Sequence, residues 1–172
     1  MSSILSEFIA ISKHDKGKRP NNTMKRIQEC RKLFNVEQDA DLGTLKVVYR
    51  NLIKEWHPDK FQEGDELKEV AAVTSKNIIE AYHFLVSISP ETHSANSEAY
   101  ELTTSSSGID DFTYKGQTLK VTFQDGSVYE YFGVPKNIYG KLINTPSQAR
   151  FARRHIFYSY LHRNVTRSSV LV

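Results

Sequence analysis

The chain holds 172 residues, 39% hydrophobic and 25% charged, with a formal net charge of +3. These values sit near the soluble globular average, so a packed core can form, and no apolar run is long enough for a membrane helix. The single cysteine, Cys30, excludes an internal disulfide, no Cys/His group has zinc-ligand spacing, and the basic cluster follows the N-terminal apolar patch, the reverse of a secretory signal. The reading is a soluble, cytoplasmic protein with no metal or cofactor, built as one ordinary domain or two small ones.

Residues 1–12 carry Ile4, Leu5, Phe8, Ile9 and Ile11, which predict a short helix docked on one of the domains. The polar run "SKHDKGKRPNN" contains Gly17 and Pro20 and reads as a linker, so residues 1–21 form an N-terminal segment. From residue 22 to 88 the apolar period is helical. Met24, Ile27, Arg31 and Phe34 mark a short helix capped by Asn22 or Thr23. "DLGTLKVVYRNLIKEW" places Leu45, Val48, Tyr49, Leu52 and Trp56 on one side of a second helix. "DELKEVAAVTSKNIIEAYHFLVSI" gives a third, with Leu67, Ala71, Thr74, Ile78, Ala81, Tyr82 and Leu85 on its stripe and Asp65 as its cap. Two long amphipathic helices joined by a short loop are expected to lie antiparallel with their stripes together.

Ser and Thr dominate residues 89–107, which read as a second linker. Beyond it the period changes to two. A strand is expected over Ile109–Tyr114, and "TLKVTFQDGSVYEYF" alternates around Asp125-Gly126, read as a two-residue hairpin turn. On that turn Lys120, Thr122, Tyr129 and Tyr131 share one face, and Leu119, Val121, Phe123, Val128 and Phe132 share the other. Glu130 then falls awkwardly on the apolar face. After Val134-Pro135, "PKNIYGKLINT" and "PSQARFARRHIFYSYLHR" predict two helices. Residues 108–163 therefore read as a small three-stranded antiparallel β-meander with two helices, and residues 164–172 as a tail. The fold class is two-domain α+β, an all-α helical hairpin followed by that meander. Charge follows the division: residues 22–88 hold ten Lys/Arg and eleven Asp/Glu (net −1), residues 108–172 nine and four (net +5). Two modules with different partners would carry such an asymmetry.

The second helix stops at His57-Pro58-Asp59. Pro58 disfavours helical geometry at the residue before it, which explains the stop but not the residues on either side. Lys46, Arg50 and Lys54 fall at i, i+4 and i+8, a basic stripe that leads to this tip. Stripe and tip together suit an acidic docking partner. The plainer alternative is a solvated helix face ended by a proline.

Within that hairpin, residues 23–88 resemble a J domain, the module by which J-domain co-chaperones engage DnaK-type heat-shock chaperones. The resemblance is carried by "TLKVVYRNLIKEWHPDK" and "KNIIEAYHFL". It implies a protein that does no chemistry itself. His57, Pro58 and Asp59 match the trigger that favours ATP hydrolysis by the chaperone. Lys46, Tyr49, Arg50 and Lys54 match docking positions against its ATPase domain and linker. The chain departs from the family at Asn51, where a basic residue is frequent, and at Ser75, where a phenylalanine commonly packs. The family's basic fourth helix, Gly/Phe-rich region and zinc-binding repeat are also missing from the pattern.

Residues 108–163 resemble the KTSC domain, a small module found alone in bacterial proteins and at the end of some lysyl-tRNA synthetases. The matching residues are "LKVTFQDGSVYEYFGVPKNIYGKLINTPSQARFARRHI", with Tyr129 and Tyr131 at the centre. RNA binding has been suggested for that family. On that reading Lys120, Tyr129 and Tyr131 form a stacking face, and Arg150, Arg153, Arg154, Arg163 and Arg167 contact phosphates. The alternative packs the tyrosines under a helix and leaves the arginines on its solvated side. No Gly-rich phosphate loop, serine elbow or metal pair appears, so no enzyme is expected. Three functions stay open: a co-chaperone whose second domain recruits a client or RNA, an RNA-binding adaptor, and an interaction scaffold that stimulates no ATPase. Client and chaperone partner are not identified by the sequence.

Overall fold

The computed structural model describes residues 23–62, 64 and 66–166. Expectations placed on residues 1–22, the Thr23 side chain, Asp65 and Arg167 lie outside the described residues. No helix among the described residues is long and apolar enough to cross a membrane. The architecture is α+β, with helices first and an antiparallel sheet towards the C-terminus. Two compact units divide the chain, one holding Gln28–Val86 and one continuing from Ser87, with residues 23–27 counted to the second.

The first unit contains α1 (Thr23–Phe34) from Gln28 onward, α2 (Leu42–Trp56) and α3 (Glu66–Ser87). Asn35, at φ 50°, ends α1; its N–H donates to the Lys32 carbonyl and the Val36 N–H reaches back to Arg31. This left-handed closure satisfies carbonyls that the helix end would otherwise strand. Asp41 caps α2: the Thr44 N–H donates to Asp41 Oδ1 at 2.6 Å, which holds that carboxyl below its ordinary value. The two long helices run antiparallel. Tyr49 stacks on Tyr82 with ring centroids 4.3 Å apart, and seven residues later in α2, Trp56 meets Ser75, seven residues earlier in α3. Ala71, Thr74, Ser75, Ile78, Ala81, Phe84 and Leu85 form the buried stripe of α3. Leu67, expected on that stripe, is 46% exposed, because the first turn of α3 extends past the end of α2.

The second unit begins with two helices where a linker was expected, α4 (Pro90–Ala95) and α5 (Ser97–Ser106). Ser89 followed by Pro90 is a helix start: the Thr92 N–H donates to Ser89 Oγ, and proline at the first helical position lacks only an N–H the helix does not need. Tyr100, Thr103 and Thr104, at i, i+3 and i+4, are buried. A Ser/Thr-rich composition concealed one strong anchor, Tyr100.

The sheet has four strands, not three, in the order β1 (Ile109–Lys115), β2 (Thr118–Phe123), β3 (Val128–Phe132), β4 (Leu161–Asn164), every pair antiparallel. The β2–β3 register corrects the expected faces. Thr122 pairs with Val128, Val121 with Tyr129 and Leu119 with Tyr131, one residue away from the two-residue turn read in the sequence. The loop has three residues, Gln124 to Gly126. The Gly126 N–H donates to the Phe123 carbonyl, the Phe123 N–H donates to Ser127, and Gly126 sits at φ 86°. That is a type I turn closed by a glycine bulge, in which Asp125-Gly126 are the second and third loop residues. A one-residue shift turns every side chain to the other face. Tyr129 and Tyr131 therefore join Leu119, Val121 and Phe123 in the core, while Glu130 lies opposite Lys120 on the other face.

Helices α6 (Lys136–Asn144) and α7 (Gln148–His155) follow, and Leu142, Ala152, Ile156 and Phe157 contribute to the same core. The predicted final helix is shorter than expected. It stops at His155, with the N–H groups of both Ile156 and Phe157 donating to the Ala152 carbonyl. The chain then returns as β4, which supplies hydrogen-bond partners for the far edge of β3.

Inside this unit the hydroxyls form a directed chain. Tyr100 Oη donates to the Phe157 carbonyl at 2.6 Å and lies 3.2 Å from Tyr131 Oη. A carbonyl only accepts and Tyr100 has one hydroxyl proton, so Tyr131 donates to Tyr100. Burial raises the pKa of both phenols, and for Tyr131 the donated bond raises it further. His162 lies 4.0 Å from the Tyr100 ring and 4.5 Å from the His93 ring, nearly parallel to each. His93 Nε2–H donates to the His162 carbonyl at 2.7 Å. Burial, then the charge of His93, pushes His162 down to about 4, against a hydrogen bond to the Tyr160 backbone. The unfolded chain thus binds more protons than the folded one between about pH 4 and 6.5. The contribution is full above the unfolded value and lost as pH falls towards 4. In urea titrations, the native protein should lose about 2 kcal/mol more than His162→Phe over that window, a figure reduced for the solvent that still reaches the ring.

Candidate functional site: the His57-Pro58-Asp59 tip

Helix α2 ends where Pro58 fixes the chain. His57 leaves helical geometry at φ −64°, ψ 126°, and Pro58–Lys60 form a single 3-10 turn. Its bonds are local: the Lys60 N–H donates to the His57 carbonyl at 3.0 Å, and Phe61 N–H to Pro58 at 3.1 Å. The Asp59 N–H donates to His57 Nδ1 at 3.3 Å. The imidazole therefore caps the turn at the tip, and a neutral ring accepting at Nδ1 carries its proton on Nε2. Asp59 Oδ2 lies 3.5 Å from the same Nδ1, and the side chains of His57 and Asp59 are 51% and 87% exposed. Local hydrogen bonds define the tip's backbone, and its side chains are open to solvent.

Ser75 holds this tip to α3. Its hydroxyl, buried, donates to the Trp56 carbonyl at 2.6 Å. Helix ends leave carbonyls without intrahelical donors, and a buried one left unpaired is costly. The sequence marks Ser75 only as a departure from phenylalanine; its role becomes visible once Trp56 is seen opposite it. Ile53, Pro58, Ala72 and Ile79 line a shallow groove beside the tip, together with His57 and Ser75.

Lys46, Arg50 and Lys54 are all exposed along α2, so the basic stripe faces solvent and leads to His57. Tyr49 is half-buried, stacked on Tyr82. It packs on α3 and presents part of its surface.

The second proposed face does not assemble. Tyr129 is 3% exposed and Tyr131 0%, so no base can stack on them. Asn164 Nδ2 donates to Tyr129 Oη at 3.3 Å. Lys120 is exposed on the opposite face of the sheet. Arg153 is half-buried, its Nε donating to the Thr104 carbonyl at 2.6 Å, which ties α7 to α5. Arg163 pairs with Glu130, with Nε and an Nη each 2.8 Å from Oε2. Arg150 and Arg154 remain exposed on α7.

The KTSC domain model matches residues 105–160. No match to a J-domain family is found. No curated protein matches the chain. The matched segment starts at the end of α5 and stops before β4, so the folded unit is larger than the match on both sides.

Ser75→Ala leaves the Trp56 carbonyl buried without its donor. It should cost about 1–3 kcal/mol in urea unfolding and speed amide exchange at Lys60 and Phe61, with little change in β2 and β3.

Proposed function

We propose that the chain is a co-chaperone that docks on a DnaK-type chaperone through α2 and the His57-Pro58-Asp59 tip and stimulates its ATPase. The second unit holds the client. The observation that carries this reading is a hydrogen-bonded tip with exposed functional groups, standing at the end of an exposed basic stripe. Such an arrangement is suited to a partner with an acidic surface, where charge sets encounter and a rigid contact sets register. The protein performs no bond chemistry in this role. It acts by holding the hydrolysis-competent state of the chaperone more tightly than the other, which shifts the equilibrium between them. Local capping by His57 and recognition by the exposed remainder of its ring are compatible, since the cap uses only Nδ1. RNA binding loses its aromatic platform with Tyr129 and Tyr131 buried, and keeps only the exposed Arg150 and Arg154 on α7.

Single-turnover ATP hydrolysis by a DnaK-type chaperone from the same source tests the proposal. The native chain should accelerate hydrolysis, and His57→Gln should not. Arg50→Glu should raise the half-maximal concentration about tenfold, with a smaller effect as salt screens the stripe. No stimulation by the native chain would leave the helical pair as an interaction scaffold.

A further inference from the structure

β1 is an outer strand. It pairs with β2 on one side, and no described strand pairs with the other. The hydrogen-bond phase across the sheet decides which groups face outward. The Phe123 N–H donates to Ser127, so the odd-numbered residues of β2 turn to β3 and the even-numbered ones to β1. The Gln124 N–H, donating to Gly108, keeps the same phase. Thr118, Lys120 and Thr122 oppose Lys115, Thr113 and Asp111. Those three residues of β1 therefore spend their backbone groups on β2, and Phe112 and Tyr114 turn theirs outward.

A partner strand must bond to Phe112 and Tyr114. For a second copy of β1 running antiparallel, outward residues meet outward residues only in registers centred on Phe112, Thr113 or Tyr114. Charge chooses among them. Centred on Thr113, Asp111 stands opposite Lys115 of the second copy, and symmetry repeats the pair. Centred on Phe112, Asp111 meets Thr113; centred on Tyr114, Lys115 meets Thr113. Asp111, Thr113 and Lys115 are all exposed. The Thr113 register also sets Phe112 across from Tyr114 twice, on the face where both rings already pack with Tyr139. Aromatic and opposite-charge cross-strand pairs both favour pairing. The irregularity between Ile109 and Asp111 ends the regular edge on its N-terminal side and confines the contact to residues 111–115.

We propose that the chain self-associates as a two-fold dimer through antiparallel pairing of β1 in the Thr113-centred register, joining two four-stranded sheets into one. The proposal is independent of the chaperone reading.

Sedimentation velocity on the full-length chain tests it. The native protein should show a concentration-dependent dimer. Asp111→Lys and Lys115→Asp should each be monomeric at the same concentrations, because each sets like charges opposite one another. An equimolar mixture of the two should recover a heterodimer, since every facing pair is then of opposite sign. Thermal melting of each variant checks that the fold is intact. Thr113→Cys supplies a second readout that needs no charge change. At the two-fold, facing residues of a non-hydrogen-bonded pair have Cα atoms about 4.5 Å apart, within disulfide reach. Mild oxidation should link two copies of that variant through the introduced thiols, whereas Cys30 is buried. A native chain that stays monomeric, charge variants that dimerise as well as the native protein, or a mixture that forms no heterodimer would each overturn the proposal. In those cases the charges serve to keep the edge from pairing.

Discussion

The hydroxyl of Ser75 and the carbonyl of Trp56 form the contact on which the proposed working end of the first unit depends. Pro58 ends α2 by denying it another N–H, and a helix so ended has carbonyls to satisfy. Trp56 is buried, so water is a poor substitute, and the donor comes from α3 at 2.6 Å. With that bond made, the chain leaves α2 at a fixed position. His57 then caps a one-turn 3-10 helix, and Asp59 stands in solvent. Removal of the bond would leave the tip's own local bonds but take away this tie to α3. A rigid tip loses less entropy on docking than a mobile one, which links this buried contact to binding.

The first unit was largely legible from its periodicity. Leu45, Trp56, Ala71, Thr74, Ile78, Ala81 and Leu85 lie where an amphipathic reading puts them, and all are buried. Long helices repeat their signal over several turns, so one atypical residue does not erase it. Ser75 was not legible, because a serine among apolar neighbours has no periodic signature; only the carbonyl facing it explains it. Tyr49 illustrates a different limit. A residue on the edge of a stripe can serve docking or packing, and Tyr49, half-buried, stacks on Tyr82 while keeping part of its surface exposed.

The second unit was harder for physical reasons that can be named. Asp125-Gly126 is a hairpin signal, yet the same dipeptide serves two-residue and three-residue loops, and the two differ by one residue in register. That residue moved Tyr129 and Tyr131 from the supposed binding face to the core. The misplaced Glu130 was the available clue: the observed register puts it opposite Lys120 and within reach of Arg163. Composition misled at residues 90–106, where serines and threonines suggested a linker while Tyr100 anchors α5 in the core. The hydroxyl of Tyr100 then connects Tyr131 to the Phe157 carbonyl, so a segment read as a spacer completes the polar network of the domain.

The two units thus present different kinds of surface. The first offers exposed side chains on a fixed tip, and the second offers a backbone edge backed by a closed core. Amide chemical-shift mapping of the full chain against an ATP-loaded DnaK-type chaperone tests the central claim most directly. Shifts concentrated at Lys46, Arg50, Lys54 and His57 to Lys60 are predicted, with β2 and β3 unmoved. Shifts confined to the second unit, or none at saturating chaperone, would contradict it.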